Sequence, residues 1–269
     1  MARAPGDVTN VGSPWLLRFK RNPGASVRLF CFHCAGGSAS EFRGWPTHLP
    51  GRVELVAVQL PGREGRVKEP FIAQMDDLTG GVVEALIPLL DKPYAVFGHS
   101  FGALGAFETI RELRRRGQRQ PFLFVPAGRQ APQLKEKKPP ISSLPKQAFI
   151  EELHKDYGNH IGHVLDSPEL REVFIPQIHA DFALSETFRF RDEPPFDFPI
   201  VACGGTEEHE LETDELEAWS ALTSRSFQSR RFPGDHFFIR ESQVLVIEAI
   251  KQAIVSVRRE AAVRSHVMA

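Results

Sequence analysis

Residues 96–107 read VFGHSFGALGAF, and they place a single serine, Ser100, where a short apolar run ends and a helical pattern begins. Gly98 and Gly102 flank the serine at two residues' distance on either side. Such a frame predicts a sharp strand-to-helix turn that lifts the hydroxyl clear of a sheet edge, where it can act as a nucleophile. The alternative is a glycine-rich turn with an incidental serine, which the strand and helix patterns on either side make less favoured.

Apolar runs alternate with helical patterns through most of the chain. The apolar runs, typical of buried strands, are VRLFCF (27–32), VELVAV (53–58), YAVF (94–97), FLFVPA (122–127) and PIVACG (199–204). The helical patterns cover 74–90, 101–116, 212–223 and 240–258. This alternation predicts an α/β fold in which a mostly parallel sheet carries helices on both faces.

Residues 133–196 interrupt that alternation. Proline-rich stretches, QLKEKKPP and RDEPPFDFP, border helical patterns at 145–156 and 168–188. A long segment of this kind predicts an inserted helical lid rather than a second sheet domain, the alternative being a surface excursion without a role. The predicted division is therefore a core of 13–132 with 197–260, a lid of 133–196, and flexible termini at 1–12 and 261–269.

Charge, the N-terminal residues and the cysteines limit which partners, location and kinds of site are expected. A formal net charge of −1 gives no support to binding of nucleic acid or of an anionic membrane. The N-terminal residues lack the apolar stretch of a secretory signal, so a cytoplasmic location is expected.

The three cysteines do not form a disulfide framework. Cys31 and Cys34 form a C-x-x-C motif that could be a redox site, or with His33 part of a zinc site, but Cys31 falls inside a predicted strand.

A nucleophilic serine needs a base and an acid, which follow a turn of this type in the order serine, acid, histidine. His236 lies between a strand-like run (226–232) and the last helix, and we interpret it as the base rather than as a surface histidine. His99 is expected to point away from the serine and to serve packing. The acid is expected after the run 199–204, where the candidates are Glu207, Glu208, Glu210, Glu212 and Asp214, unless all five are solvated charges.

Acyl transfer also needs donors for the developing oxyanion. The run LFCFHCAGGSAS (29–40) places Ala35, Gly36 and Gly37 directly after an early strand. A glycine-rich loop in that position supplies one backbone amide, and the residue after the nucleophile, Phe101, supplies the other.

Several longer blocks carry a resemblance to a known family. From about Ser13 to about Ile239 the sequence contains, in order, SPWLLRF, LFCFHCAGGSASEFRGW, VQLPGRE, FGHSFGA, HADFALSETF, ELEAW and FPGDHFF. In order and spacing they resemble the type II thioesterases, stand-alone α/β-hydrolases that accompany modular polyketide and nonribosomal peptide synthases. The resemblance implies hydrolysis of acyl thioesters on the 4′-phosphopantetheine arm of carrier proteins, which clears stalled or misprimed acyl units.

Carried over position by position, the resemblance assigns the nucleophile to Ser100, the base to His236 and the oxyanion amides to Ala35 and Phe101. The family usually has Gly-Gly-x-x-Asp for the acid, and the corresponding position here is Glu208. This replacement of aspartate by glutamate leaves Asp214, the nearest aspartate, as the other candidate.

The resemblance also implies partners and a substrate chamber. No cofactor or metal is expected, and the expected partners are acyl or peptidyl carrier proteins and small acyl thioesters, bound by a monomer. The lid is expected to cover an apolar chamber for the acyl chain that uses phenylalanines such as Phe182, Phe188 and Phe190, although for each of them taken singly ordinary core packing is the favoured alternative. Candidates for docking an acidic carrier are Lys135, Lys137 and Lys138, whereas the arginines at 111 and 114–116 are interpreted as structural.

Competing functions are a general carboxylester hydrolase, a medium-chain fatty acyl thioesterase or a non-catalytic binding protein.

Overall fold

The computed structural model describes residues 9–267. Eight strands in this range are β1 (Thr9–Asn10), β2 (Leu16–Arg18), β3 (Val27–Phe32), β4 (Val53–Val58), β5 (Tyr94–His99), β6 (Leu123–Ala127), β7 (Ile200–Gly205) and β8 (Phe227–Phe232). The α-helices are α1 (Met75–Leu86), α2 (Phe101–Arg115), α3 (Lys146–Asp166), α4 (Pro168–Thr187), α5 (Thr213–Glu217), α6 (Phe238–Glu241) and α7 (Gln243–Val267).

All eight strands form one sheet in the order β1-β2-β4-β3-β5-β6-β7-β8. The pairs β1–β2 and β2–β4 are antiparallel, and every other pair is parallel. The prediction of a mostly parallel α/β sheet is confirmed. The sequence analysis missed β1 and β2, because two- and three-residue strands at a sheet edge are too short to show a period.

Side chains of the central strands alternate between two buried cores, one on each face of the sheet. Phe30 packs with α1 and α2, whereas its neighbour Leu29 packs with α7. Helix α7 contributes Ile250 and Ile254 at helical spacing. Burying each such side chain stabilises the fold by about 1.5–3 kcal/mol. Because the strands are buried on both faces, their sequences are almost continuously apolar.

Helices α3 and α4 lie between β6 and β7 and form a small core of their own, which includes Phe149, Leu153 and Ile175. Ser167 separates the two helices, and its hydroxyl accepts from the Leu170 amide (3.2 Å), an N-cap that begins α4. Helix α3 extends ten residues beyond the predicted pattern of 145–156. Gly158 and Gly162 weaken the helical signal there, and tertiary packing overrides that weak propensity.

The chain ends differ in part from the flexible termini predicted at 1–12 and 261–269. Thr9 and Asn10 pair with Arg18 and Leu17, so the edge of the sheet holds this segment through backbone hydrogen bonds. Helix α7 continues through Val267. The remainder of that prediction, residues 1–8 and 268–269, lies outside the described residues.

Candidate active site

Ser100 lies on the turn between β5 and α2, at the carboxyl edge of the sheet. Its backbone has φ 54° and ψ −117°, a conformation that residues with a side chain rarely adopt. The Ser100 amide donates to the Ala127 carbonyl at the end of β6 (2.7 Å), which helps to hold the turn. A strained residue of this kind costs about 1–3 kcal/mol, and such residues cluster at functional sites. The backbone therefore singles out Ser100 as a functional position.

The two glycines of the motif are required by close backbone contacts. A Cβ atom at Gly98 would lie 2.4 Å from the Gly102 carbonyl oxygen. A Cβ atom at Gly102 would lie 2.4 Å from the carbonyl oxygens of both Phe32 and His33, at the end of β3. The spacing G-x-S-x-G thus follows from how tightly the turn packs against β3.

We expect Gly102→Ala to lower the free energy of unfolding by about 3 kcal/mol or more, because the β3 carbonyls cannot move aside without disturbing the sheet. The matched control is Gly105→Ala on the same helix, whose Cβ would meet a Leu78 methyl at an ordinary 3.7 Å. That control should be neutral or stabilising by up to about 1 kcal/mol, since alanine favours helix. Urea unfolding of both variants measures the difference, and equal stabilities would contradict this account of the motif.

His236 reaches the serine from the loop between β8 and α6. Its Nε2 lies 2.9 Å from the Ser100 Oγ, within hydrogen-bond distance, although 136 residues separate the two in sequence. The ring is partly exposed, with 21% of its side-chain surface accessible. The structure therefore brings together the predicted nucleophile and the predicted base, in the geometry that proton transfer between them needs.

His99 supports the loop that carries His236. Its ring is fully buried, and its Nε2 lies 2.8 Å from the His236 carbonyl oxygen. Burial lowers the pKa of His99 to about 3, and the nearby His236 adds to the shift, so the His99 ring is neutral. Because a carbonyl oxygen only accepts, the His99 Nε2 carries the proton and donates it. His99 thus packs as predicted and also fixes the backbone of the base.

Glu208 binds the other side of the His236 ring. Its Oε1 lies 2.6 Å from His236 Nδ1, and its Oε2 accepts from the Gly205 amide at 3.0 Å. The carboxylate is 7% exposed. A Cβ atom at Gly205 would lie 2.4 Å from the carbonyl oxygens of Gly234 and Asp235. The glycine therefore lets the loop that carries Glu208 approach the loop that carries His236. This close approach places the longer glutamate within reach of the imidazole.

The other carboxylates that follow β7 have environments different from that of Glu208. Asp214 is exposed, and its Oδ1 accepts from the Glu215 amide at the start of α5. Glu212 and Glu215 form a capping box on that helix. Glu207 and Glu210 are exposed. Among the five candidates of the sequence analysis, Glu208 is the one that contacts His236.

The amides of Ala35 and Phe101 belong to the loop after β3 and to the first turn of α2, at the cavity that Ser100 borders. Within residues 9–267 neither amide donates to a protein acceptor. Ala35, Ser100 and Phe101 line the same cavity. Two unpaired amides beside a nucleophile can stabilise the negative charge that develops on a carbonyl oxygen under attack.

The cysteine motif is not a redox site of the usual kind. Cys31 and Cys34 are buried, and burial, with a smaller effect of the Glu41 carboxylate, raises the pKa of both thiols. Reactive thiols have lowered pKa values. Within the described part of the chain, Cys31, Cys34 and His33 do not come together as a set of metal ligands.

Two cavities meet at Ser100. One, of about 580 Å³, is lined by apolar surface and by charged side chains, which include Arg129, Lys137, Lys138, Asp156, Arg189 and Glu210. The other, of about 380 Å³, has a largely apolar lining that includes Leu153, Ile161, Val164, Leu170, Phe174 and Ile178. Ser100, Ala35, Tyr157 and Phe182 border both cavities. A substrate with a polar part and an apolar part can therefore place its reacting carbon at the serine.

Only one of the three phenylalanines predicted to line an apolar chamber beside the serine does so. Phe182 borders both cavities. Phe188 borders a different cavity beside α1, and Phe190 stacks on Phe107 in the main core, with ring centroids 6.3 Å apart. The prediction was wrong for these two because α4 ends at Thr187, and the chain beyond it turns away from the serine.

The sequence analysis did not single out two lid residues that border the site. Tyr157, on α3, has its ring centroid 5.5 Å from that of His236. Asp181, on α4, is 1% exposed and binds the loop that contains Ala35. A carboxylate in the otherwise apolar run ADFAL (180–184) was the available signal for Asp181, because a charge is seldom buried without a partner.

Comparison with known proteins agrees with this geometry. Residues 27–254 match the family model of the thioesterase domain. This chain belongs to the thioesterase family. The gramicidin S biosynthesis protein GrsT of Aneurinibacillus migulanus is 36% identical over 234 residues, which cover 87% of this chain and 91% of GrsT. The thioesterase is thus a hydrolase that acts on thioesters.

Solved structures extend the comparison to the fold. ClbQ from the colibactin NRPS/PKS pathway superimposes with a TM-score of 0.82 at 29% identity, covering 87% of this thioesterase and 99% of ClbQ. The type II thioesterase BorB from the borrelidin biosynthetic cluster gives 0.81 at 28% identity, covering 90% and 99%. The resemblance to type II thioesterases and the α/β-hydrolase fold are confirmed. No described helix combines the length and the apolar composition that a membrane crossing requires.

Proposed function

We propose that this thioesterase hydrolyses acyl thioesters on the phosphopantetheine arm of carrier proteins and thereby removes stalled or misprimed acyl groups from polyketide or nonribosomal peptide synthases. The observation that carries the proposal is the chain of hydrogen bonds from Glu208 through His236 to Ser100, at the point where a cavity with charged side chains meets a largely apolar one. Relatives from such biosynthetic pathways, among them ClbQ and BorB, support the choice of substrate.

In the proposed mechanism Ser100 is the nucleophile, His236 the base and Glu208 the acid. His236 Nε2 takes the proton from the Ser100 hydroxyl as its Oγ attacks the thioester carbonyl carbon. Glu208 accepts from His236 Nδ1, which holds the ring in the required tautomer and stabilises the imidazolium. The backbone amides of Ala35 and Phe101 bind the oxyanion.

Collapse of the first intermediate breaks the carbon–sulfur bond. The pantetheine sulfur leaves as a thiol with the proton from His236, and the acyl group stays on Ser100 as an ester. Water then attacks this ester while His236 takes one of its protons, and the same proton returns to the Ser100 Oγ as the free carboxylic acid departs. The arm belongs to the substrate, so the proposal assigns the protein no cofactor and no metal.

The two cavities divide the substrate between them. The amides and hydroxyls of the pantetheine arm match the charged side chains in the larger cavity, and an acyl chain matches the largely apolar lining of the smaller one. Tyr157 lies at the junction, where a phenol can present its ring to the acyl chain and its hydroxyl to the arm. The proposed acyl groups are therefore apolar and small enough for a chamber of about 380 Å³.

We expect Ile161→Trp to lower kcat/KM for octanoyl thioesters by at least about 10-fold and to leave acetyl thioesters within about 2-fold, because an indole fills the apolar chamber beyond the reacting carbon. The control is Val173→Trp on the outer surface of the lid, where the side chain is 50% exposed. Turnover of acyl-loaded carrier proteins from acetyl to octanoyl measures both variants. An equal loss for all chain lengths would mean that the apolar cavity does not bind the acyl group.

A carrier protein is the proposed partner, bound by a monomeric enzyme. Of the lysines named in the sequence analysis, Lys137 pairs with Glu215 at 2.9 Å, and Lys138 pairs with Asp156 at 2.8 Å and with Glu210. Both lysines are exposed, although Glu215 and Asp156 are largely buried, and we propose that each lysine exchanges its partner for a carboxylate of an acidic carrier. The proposed compartment is the cytoplasm, where the pantetheine thiol and the three free cysteines stay reduced.

One experiment tests the proposed substrate class. Hydrolysis rates are compared for the same acyl groups on a carrier protein, on coenzyme A and as oxygen esters. We expect kcat/KM to be highest for the carrier protein and lowest for the oxygen esters. A preference for oxygen esters would favour a general carboxylester hydrolase. Equal rates for coenzyme A and carrier substrates, with a preference for medium chains, would favour a fatty acyl thioesterase.

A further inference from the structure

A buried ion pair joins the lid to the loop that contains Ala35. Asp181, on lid helix α4, receives two bonds from the Arg63 guanidinium, at 2.8 and 2.9 Å. Only 2–3% of either side chain is exposed. The two residues are 118 positions apart in sequence. A two-bond contact between an arginine and a carboxylate fixes orientation as well as distance.

This ion pair also binds the backbone of the two residues that follow Ala35. Asp181 Oδ2 accepts from the Gly36 amide at 2.8 Å, and Arg63 donates to the Gly37 carbonyl at 3.1 Å. The loop itself provides neither partner. The peptide group that carries the Ala35 amide is held at its Cys34 carbonyl by the Gly37 amide at 3.0 Å and by His33 Nδ1 at 2.8 Å. Its direction therefore depends on the position of Gly36 and Gly37, which Asp181 and Arg63 hold.

Helix α4 touches the same loop a second time. Gly36 has φ +67°, and a Cβ atom there would lie 2.3 Å from Ile178 Cγ1, one turn before Asp181 on α4. The loop is thus enclosed between the sheet edge and the lid helix, with a polar and an apolar contact on the same face of α4. A packed loop with satisfied peptide groups is rigid, and rigid donors stabilise an oxyanion without reorganisation.

We propose that Asp181, acting with Arg63, is a positioning residue that sets the Ala35 amide for oxyanion binding, so that lid helix α4 completes the oxyanion hole. The inference rests on the proposed serine chemistry. Neither side chain touches the reacting atoms in this account; both act through the peptide groups of Gly36 and Gly37. The rival explanation is that a buried ion pair serves only folding stability, since removal of one partner leaves a buried charge uncompensated.

The test compares Asp181→Asn with Glu54→Gln. Asparagine keeps the shape of Asp181 but cannot accept two bonds from Arg63. Glu54 is 4% exposed and pairs with Arg28 at 3.2 Å near the starts of β3 and β4, at the sheet edge opposite the site. Both variants lose one carboxylate of a buried ion pair, so both are expected to lose stability. Only the first should affect catalysis.

For Asp181→Asn we expect kcat per folded molecule to fall about 10- to 100-fold, with KM within about 2-fold. Affinity for a trifluoromethyl ketone analogue, whose adduct with the serine bears an oxyanion, should fall by the same factor. A thioether analogue, which forms no oxyanion, should bind unchanged. Arg63→Lys keeps the charge but loses the two-bond geometry, and it should give an intermediate loss of kcat.

The proposal is overturned if Asp181→Asn behaves like Glu54→Gln, with lower stability but unchanged kcat. It is also overturned if the loss is confined to KM, which would make Asp181 part of the substrate-binding wall. If the proposed function is wrong and carrier-bound thioesters are not the substrates, the result differs from both of these outcomes. In that case the wild type hydrolyses no carrier-bound thioester, yet a fluorophosphonate still labels Ser100, and Asp181→Asn still slows the labelling at least about 10-fold if the positioning role is correct.

Discussion

Ser100→Ala is expected to lower the turnover of acyl-carrier thioesters by at least about 10⁴-fold, because no other side chain can take its place as the group that accepts the acyl chain. His236 Nε2 lies 2.9 Å from this hydroxyl, and the strained backbone of residue 100 presents it to both cavities. Alanine keeps the Cβ atom and the backbone conformation, so the free energy of unfolding should change by less than about 1 kcal/mol.

The measurement is single-turnover hydrolysis together with labelling by a fluorophosphonate. The probe should label the wild type and fail to label Ser100→Ala. An exposed serine on β8 supplies the control: Ser229→Ala should keep both turnover and labelling. Turnover of Ser100→Ala within about 10-fold of the wild type would exclude an acyl-serine intermediate, and it would point to direct attack by water.

Glu208→Ala is expected to lower kcat by about 10² to 10⁴-fold. The variant removes the acceptor at 2.6 Å from His236 Nδ1, so the ring loses its fixed tautomer and the imidazolium loses its counter-charge. It also frees the Gly205 amide. KM should change little, because Glu208 is buried behind the imidazole and does not face either cavity.

Asp214→Ala is the matched control for the acid, since Asp214 is exposed and binds only the start of α5. We expect its kcat to stay within about 2-fold of the wild type. Glu208→Asp should retain part of the activity, because the shorter side chain cannot hold both the Gly205 amide and the His236 ring. A large loss in Asp214→Ala combined with a small one in Glu208→Ala would mean that the loop rearranges during turnover and that the acid has been misassigned.

Much of the fold could be predicted from local sequence patterns. Strands β3 and β4 were predicted to the residue, because both are buried on both faces and are apolar except for Arg28 and Glu54, which pair with each other. The serine turn was also predictable, since a strand, two glycines and a helix pattern all lie within twelve residues. The length of α3 was not, because its two glycines hide a helix that packing against α4 stabilises.

Prediction of the site was less complete where contacts are long-range. His236 could be named because one loop follows the last strand and contains one suitable histidine. The lid phenylalanines could not be sorted, because Phe182 and Phe190 lie close together in sequence, and only the end of α4 between them decides that one faces the serine and the other the core. Asp181 and Arg63 were missed because they are 118 positions apart in sequence.

Local patterns were sufficient for the α/β sheet, the turn at Ser100 and the order of serine, acid and histidine along the chain, because burial on both faces and tight turns restrict which residues can follow one another. The choice of Glu208 among five carboxylates needed the folded chain, since it depends on the close approach of Gly205 to the histidine loop. The contact of Asp181 with the loop that contains Ala35 also depends on the folded chain. Both are contacts between segments far apart in sequence, and only the packing of the whole domain sets the distance between them.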